Sequence, residues 1–484
     1  MYHLNAKAAG TLVALSTGPR SPQTGGDAGA TDVTDAIARL TSADPIQLLS
    51  SDAPIFSLGA RDGRPHAAES VSTDSAETPP AGSVHARAQA RVGLMGNPSD
   101  GYNGKSVSLT LENFWVDVWA WASPRTRILL HPLYDPVEFR SPEELVAISE
   151  REGYSGGTRL LMAAVYRFYK QCQQHGVKLR SDTGVTLKYH TNVPRQVGLA
   201  GSSAIITAIL RALAAFHGID TDERLASADL SKPKMPGFVL AIESEELGIS
   251  AGLQDRVVQW YEGLVHMDFD KEAIESQGHG TYTNLSVDAL PPLFLAFAPD
   301  PSDSGRIHMP IRQRWLEGDA EVVDAMKDIA SNCDATKELL AEAAAKGTPK
   351  SVVARKLGAL VRRNFKGRLD LFTAPALGDT NLQMIGIGEG LGAAAKFPGS
   401  GGAVVGVVDA IGMAAKGSID WEAGAALAAD DLALVESEVD GYDIAAEQAL
   451  NTLRVAYQKA GFVFVPIVPH LPTEGGGMGP VELL

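Results

Sequence analysis

Residues 194–204 read Pro-Arg-Gln-Val-Gly-Leu-Ala-Gly-Ser-Ser-Ala and run directly into an apolar stretch, Ile205 to Phe216. An alternating segment, Val185 to His190, precedes them, so the pattern is strand, glycine-rich turn, helix. Gly198 and Gly201 let the backbone curl through positive φ and approach a ligand closely. Ser202 and Ser203 fall at the helix start, where unpaired N–H groups and the positive dipole end favour an anion. The segment needs a sheet behind it and a packed helix after it, which predicts an α+β arrangement. It is built to hold phosphate.

It is not the usual phosphate loop. A Walker loop asks for Gly, four residues, then Gly-Lys-Ser/Thr. The only Gly-Lys-Ser is Gly104-Lys105-Ser106, and Ser99 stands where the first glycine belongs. No Gly-x-Gly-x-x-Gly follows a strand and opens a helix either. Taken alone, 194–204 also reads as an ordinary glycine-rich strand–helix turn.

Two further segments change that weighting. Arg91-Val92-Gly93-Leu94-Met95 is a short strand-like run that stops at turn formers, Gly96-Asn97-Pro98-Ser99-Asp100 and Gly101-Tyr102-Asn103-Gly104. Polar side chains at the C-terminal end of such a strand point into a cleft. Lys396-Phe397-Pro398-Gly399-Ser400-Gly401-Gly402 then precedes a buried-type strand, Ala403 to Val408. Three glycines in four residues mark a tight loop or a close backbone approach.

In this order and spacing the three segments resemble the GHMP kinases, the superfamily of galactokinase, homoserine kinase, mevalonate kinase and phosphomevalonate kinase. Galactokinases carry Arg-Val-x-Leu-Ile-Gly, two residues, then Thr-Asp-Tyr-Asn-Gly. Arg91, Val92, Leu94, Gly96, Ser99, Asp100, Tyr102, Asn103 and Gly104 follow that motif, with one extra residue at Gly101. Within the superfamily the likeness is greatest to plant-type glucuronokinases. It is carried by 96–100, Glu-Gly-Tyr-Ser-Gly-Gly (152–157), 194–204, Glu-Leu-Gly-Ile-Ser-Ala-Gly-Leu-Gln-Asp-Arg (246–256) and 396–405. It covers about residues 86–470.

The resemblance implies a two-domain α+β fold with the active site in the cleft between domains. Residues 86–285 would form a domain like ribosomal protein S5 domain 2, and 286–484 a ferredoxin-like domain with an acidic insertion near 409–441. Residues 1–85, rich in Ala, Ser, Thr, Gly, Pro and Asp, read as a disordered extension with a short helix within Asp32–Leu40. The tail Thr473–Gly479 is glycine-rich and reads as loose. Strands are expected at Val92–Met95, Val107–Leu111 with Phe114–Trp121, Arg127–His131, Val185–His190, Leu293–Ala298 and Phe462–Val468. Helices are expected at Arg159–His175, Phe238–Leu247, Asp319–Ala345 and Lys350–Asn364.

The implied chemistry is phosphoryl transfer, which asks for charge neutralisation and in-line positioning. Pro194, Arg195, Gln196, Val197, Gly198, Leu199, Ala200, Gly201, Ser202, Ser203 and Ala204 would bind ATP. Ser203 would offer its hydroxyl to Mg²⁺, with a plain N-cap as its compatible alternative. A carboxylate for the metal comes from Glu243 or Glu245, with Glu246 beside them. Asp255 matches the aspartate that accepts or helps remove the proton of the attacking hydroxyl. Its alternatives are a salt bridge with Arg256 or a helix cap. Arg91 holds the place of galactokinase's catalytic arginine, a planar and permanently charged fork. Asn97, Asp100 and Gly401 would contact the sugar, but Asn97-Pro98 stands where galactokinase has Glu-His, which speaks against galactose. A uronic acid needs a cation for its carboxylate, and Arg195, Lys105, Arg256 and Lys396 are the candidates.

The implied reaction is ATP-dependent phosphorylation of D-glucuronate at the anomeric hydroxyl, giving glucuronate 1-phosphate for UDP-glucuronate synthesis. Competing expectations are a GHMP kinase for galacturonate, galactose, fucose or an isoprenoid precursor, and a catalytically silent sugar/ATP sensor. A length of 484 residues accommodates two or three domains at ~150 per domain. No run of 18 apolar residues exists, so no membrane partner is expected. The start lacks a signal-peptide apolar core, and its acidic, arginine-poor composition argues against a transit peptide. Cys172 and Cys333 are isolated, which fits a reducing compartment, the cytoplasm. The histidines form no metal-ligand spacing. A net charge of −16 disfavours nucleic acid and cannot steer ATP or a sugar acid from afar, so any basic site must be local. The expected partners are a small-molecule sugar acid and ATP, bound by a monomer or weak homo-oligomer.

Overall fold

The strand that enters the first motif is longer than its apolar core: β1 spans Val84–Met95, with Ala86, Ala88 and Ala90 fully buried on one face. The structure is a computed structural model, and it describes residues 77–131, 135, 156–299, 309–372, 374–409, 442–472 and 481–483. The short helix expected within Asp32–Leu40, most of the 152–157 stretch, the acidic segment after Asp409 and the 473–479 tail lie outside the described residues.

After β1 come a single 3₁₀ turn (Ser99–Tyr102), the 19-residue strand β2 (Lys105–Ser123) and β3 (Arg127–Ile128). Helix α1 (Gly157–Gln174), β4 (Gly184–Thr191) and α2 (Gly201–Phe216) follow. Then come α3 (Asp222–Ser227), α4 (Met235–Ala241), α5 (Leu253–Tyr261), β5 (Leu264–Asp268), α6 (Lys271–Gln277) and β6 (Thr281–Leu285). The second half holds β7 (Leu293–Phe297), α7 (Met309–Leu316), α8 (Ala320–Lys346), α9 (Lys350–Leu371), α10 (Ala374–Leu377) and α11 (Asp379–Gly390). It closes with β8 (Ala394–Lys396), β9 (Ala403–Val407), α12 (Tyr442–Lys459), β10 (Val463–Pro466) and β11 (Val481–Leu483).

Two sheets organise these elements. The first has the order β11-β1-β2-β4-β3, with β5 paired to β2 and β6 to β5. The length of β2 makes this possible: Lys105–Leu109 pairs with β5, while Val116–Ser123 pairs with β4. The second sheet is antiparallel, in the order β10-β7-β9-β8. The last described strand, β11, returns to pair with Val84–Ala86 of the first sheet.

Helix α2 lies across β1 and β2, with fully buried Ala204, Ala208 and Ala212 allowing a close approach. One charge is buried with it. Arg211 is fully buried, donates to the carbonyls of Arg87 (2.7 Å) and Gln259 (2.9 Å), and pairs with Glu262 at 2.8 Å. That tether joins α2 to β1 and to the end of α5, which fixes the glycine-rich turn against the sheet.

Three expected elements differ. The strand at Arg127–His131 is only two residues long. The helix expected to end at Asn364 runs on to Leu371. The helix expected over Phe238–Leu247 breaks after Ala241 into a π-helical turn, Ile242–Glu246. Such turns insert a residue and change which side chains face inward.

Candidate active site

Between β4 and α2 the backbone reverses its hand at every second residue: Gln196, Gly198 and Ala200 have φ of 58, 71 and 62°. This alternation gathers successive N–H groups into an anion-binding concavity. Ala200 is the N-cap of α2, and no side chain caps the helix, so its first N–H groups stay open to a ligand. The second glycine-rich loop closes on this turn. A Cβ on Gly198 would stand 2.9 Å from the Gly401 carbonyl oxygen, so only glycine permits the approach.

The cleft between the loops measures about 680 Å³. Pro194, Arg195, Gln196, Gly198, Leu199, Ala200, Gly201 and Ser202 line it. Val197, Ser203 and Ala204 do not; they are buried in the core behind the turn. Arg91, Asn97, Asp100, Gln254, Asp255 and Arg256 line the opposite parts, with Gly399 and Ser400 from the second loop. Gly401 is buried behind those two and does not face the cleft.

Charges in the cleft form a chain. Arg91, 5% exposed, donates through Nε to Asp255 Oδ1 and through Nη1 to the Gly198 carbonyl, both at 2.6 Å. Arg256 Nη1 donates to the other Asp255 oxygen at 3.1 Å. Burial alone would raise the Asp255 carboxyl, but the two guanidiniums outweigh it and hold the group below the usual carboxylate range. Arg256 also grips Glu243, with Nε 2.6 Å from Oε2 and Nη2 on the same oxygen. The remaining Glu243 oxygen accepts from Ser202 Oγ at 2.7 Å.

The π-helical turn decides which glutamate belongs to this chain. Glu243 is fully buried and points to Arg256 and Ser202. Glu245 lies apart from it: its carboxylate is exposed, pairs with Arg167 of α1 and does not line the cleft. Glu246 shares that arginine at 3.3 Å. Ser203 and Ser202 face different ways. The Ser203 hydroxyl donates back to the Ala200 carbonyl at 3.1 Å, while Ser202 is the serine on the cleft wall. Because Ala200 rather than a serine is the cap, Ser202 takes the position that faces the cleft.

Asp100 sits on the cleft wall at the head of α5, with Oδ2 3.2 Å from where a Gly252 Cβ would be. Desolvation, then the neighbouring Asp255 charge, pushes its carboxyl up to about 7 against the pull of Arg91. Of the four cations considered for a sugar carboxylate, Lys105 is held outside by Asp334 (2.8 Å) and Asp268 (3.1 Å). Arg256 is committed to two carboxylates. Lys396, 2% exposed, donates to the carbonyls of Gly93 (2.9 Å) and Phe397 (2.8 Å). Arg195 lines the cleft, joined there by Arg159 from the start of α1.

The sequence reading missed Arg159, Asn364 and Arg368. The last two lie one helical turn apart within Arg362-Arg363-Asn364-Phe365-Lys366-Gly367-Arg368, a basic run whose i,i+4 spacing is the available signal.

Residues 159–263 match the GHMP kinases N terminal domain. Glucuronokinase 1 of Arabidopsis thaliana is 42% identical over 334 residues, which is 69% of this chain and 87% of that protein. Probable glucuronokinase 2 of the same plant is 44% identical over 322 residues, 66% of this chain and 82% of the relative. The solved structure of the Streptococcus pneumoniae phosphomevalonate kinase superposes with a TM-score of 0.51 at 12% identity, covering 80% of this chain and 99% of that one. At that identity the likeness speaks for the fold. The domain match and the two relatives define a GHMP kinase, a phosphotransferase. Within that class the chain belongs to the glucuronokinase family.

Proposed function

We propose that this chain transfers the γ-phosphoryl group of ATP to the anomeric hydroxyl of D-glucuronate, giving glucuronate 1-phosphate and ADP. The observation that carries the reading is Arg91, whose one guanidinium bonds both Asp255 and the carbonyl of Gly198. It ties a carboxylate suited to a hydroxyl proton to a turn suited to phosphate, within one cleft.

The backbone N–H groups of 198–202 and the open head of α2 bind the triphosphate. As the anomeric oxygen bonds to the γ-phosphorus, the bond from that phosphorus to the β,γ-bridging oxygen breaks. The hydroxyl proton leaves toward Asp255. Because Arg91 and Arg256 keep Asp255 ionised, it acts as a fixed anion beside the acceptor oxygen. Arg91 meets the charge developing on the transferred group. Asp100 takes hydroxyl hydrogens of the sugar.

Mg²⁺ fits the donor set at the head of α2: Ser202 Oγ lies beside Glu243 Oε1, the oxygen that Arg256 leaves open. When bound there the ion would neutralise the phosphates that the turn holds. The reading places the protein in a reducing compartment, the cytoplasm, in keeping with Cys172 and Cys333, both buried and free. No helix among the described residues is long and apolar enough to cross a membrane. The partners are ATP and a small sugar acid, and the chain acts as a monomer or weak homo-oligomer.

ADP release measured with glucuronate, galacturonate, galactose, fucose and mevalonate tests the reading. Turnover of glucuronate ahead of the others is expected. Turnover of a neutral sugar with none of glucuronate sinks the assignment and leaves the fold intact.

A further inference from the structure

Helix α9 sends two buried side chains across to the first motif. Asn364, fully buried, accepts from the Gly96 N–H at 2.7 Å and donates to the Asn97 carbonyl at 3.2 Å. Arg368, 2% exposed, donates through Nη1 to the Asn97 side-chain oxygen and to the Gly399 carbonyl (2.7 Å). Its Nη2 donates to the Ser400 carbonyl at 3.1 Å. One guanidinium thus holds three cleft-lining residues from two different loops.

The arginine also orients Asn97. A guanidinium has only donors, so the Asn97 amide must turn its oxygen toward Arg368 and its NH₂ away. Among the described residues that Nδ2 has no partner, and Asn97 lies on the cleft wall. Behind it Arg368 is not ion-paired with a carboxylate among the described residues and spends its hydrogens on oxygens of uncharged groups. Arg368 is further enclosed by the Phe397 ring, 4.9 Å from its carbon. Two amide donors backed by the desolvated Arg368 guanidinium favour an anionic acceptor over a hydroxyl. Asp100, three residues on, is the complementary acceptor for hydroxyl donors.

We propose that the Asn97 amide donates to the carboxylate of the sugar and so selects an acidic over a neutral hexose, with Arg368 as the positioning residue that aims it. The inference rests on the reading of the chain as a glucuronate kinase and names the specificity element of that site.

The test compares D-glucuronate with D-glucuronamide, its neutral isostere, in the full-length wild type, Asn97→Asp and Arg368→Lys. Asn97→Asp keeps size and the contact with Arg368 but presents an oxygen to the carboxylate. The kcat/KM ratio of acid to amide is expected to fall about ten- to a hundredfold, mainly through KM for the acid. KM for ATP and the melting temperature should stay near wild type. Arg368→Lys offers one point charge to three acceptors, and the same ratio should fall with ATP binding retained. An unchanged ratio in a folded, ATP-binding Asn97→Asp protein overturns the inference alone. A wild type that turns over neither compound, while releasing ADP with another sugar, overturns the functional reading instead.

Discussion

Asp255 and Asp100 face the same cleft and are held in opposite electrostatic states. Asp255 is clamped by Arg91 at 2.6 Å and by Arg256 at 3.1 Å, and its carboxyl lies below the ordinary range. Asp100 loses solvent without gaining a guanidinium bond, and the charge on Asp255 raises it further, to about 7. Chemical type is therefore a poor guide to role here. A carboxylate whose charge is pinned by two guanidiniums differs in kind from one that burial holds near neutrality.

The largest break of this comparison is Asp255→Asn. An amide keeps the shape but removes the anion that two arginines surround. If Asp255 draws off the hydroxyl proton, kcat should fall by ~10²–10⁴ with nucleotide affinity retained. Steady-state kinetics beside a nucleotide titration check this. Near-normal kcat in a folded variant would remove Asp255 from the mechanism and shift attention to Asp100.

Next in size is Glu243→Gln, which attacks the clamp from its far end. Arg256 is buried and would lose one of its two carboxylate partners. Breaking a buried pair of this kind costs ~3–5 kcal/mol. A clear loss of stability in denaturant unfolding is expected, with weaker Mg²⁺-dependent nucleotide binding. Glu245→Gln is the matched control. That side chain is 56% exposed and pairs with Arg167, so an effect of roughly 0–1 kcal/mol is expected. Equal losses from the two substitutions would contradict the separation made by the π-helical turn.

The glycine-rich turn before α2 was legible because its cause is local: glycines at 198 and 201, serines at 202 and 203, and an apolar run behind them. The GHMP fold followed from the same motifs taken together. What stayed hidden depends on phase or on distance. Choosing Ser202 over Ser203 requires knowing that Ala200 caps the helix, a backbone fact with no side-chain signature. Choosing Glu243 over Glu245 requires the π-helical turn, because a regular helix would aim these residues differently. Arg368 lies 271 residues from Asn97, beyond the reach of any local pattern, and the helix that carries it runs past its expected end at Asn364.

The smallest effect sharpens the other half of the comparison. The Asp100 carboxyl ordinarily titrates near 3.8 and in the fold near about 7. Since the folded value is raised, the folded state binds the proton more tightly than the unfolded chain does. Stability is therefore fullest below about 4 and declines as pH rises through 7, levelling off once Asp100 is ionised in both states. Asp100→Asn cannot ionise and escapes that decline. In the ligand-free protein the variant should match the wild type near about pH 4. It should melt higher by on the order of 5 °C above about pH 8, with the gap opening in between. Turnover should fall by about tenfold or less, the scale of one lost neutral hydrogen bond to a sugar hydroxyl. Melting curves from about pH 4 to about pH 9 decide it. A constant gap would mean that Asp100 titrates like any surface carboxylate, and the contrast with Asp255 would lose its electrostatic basis.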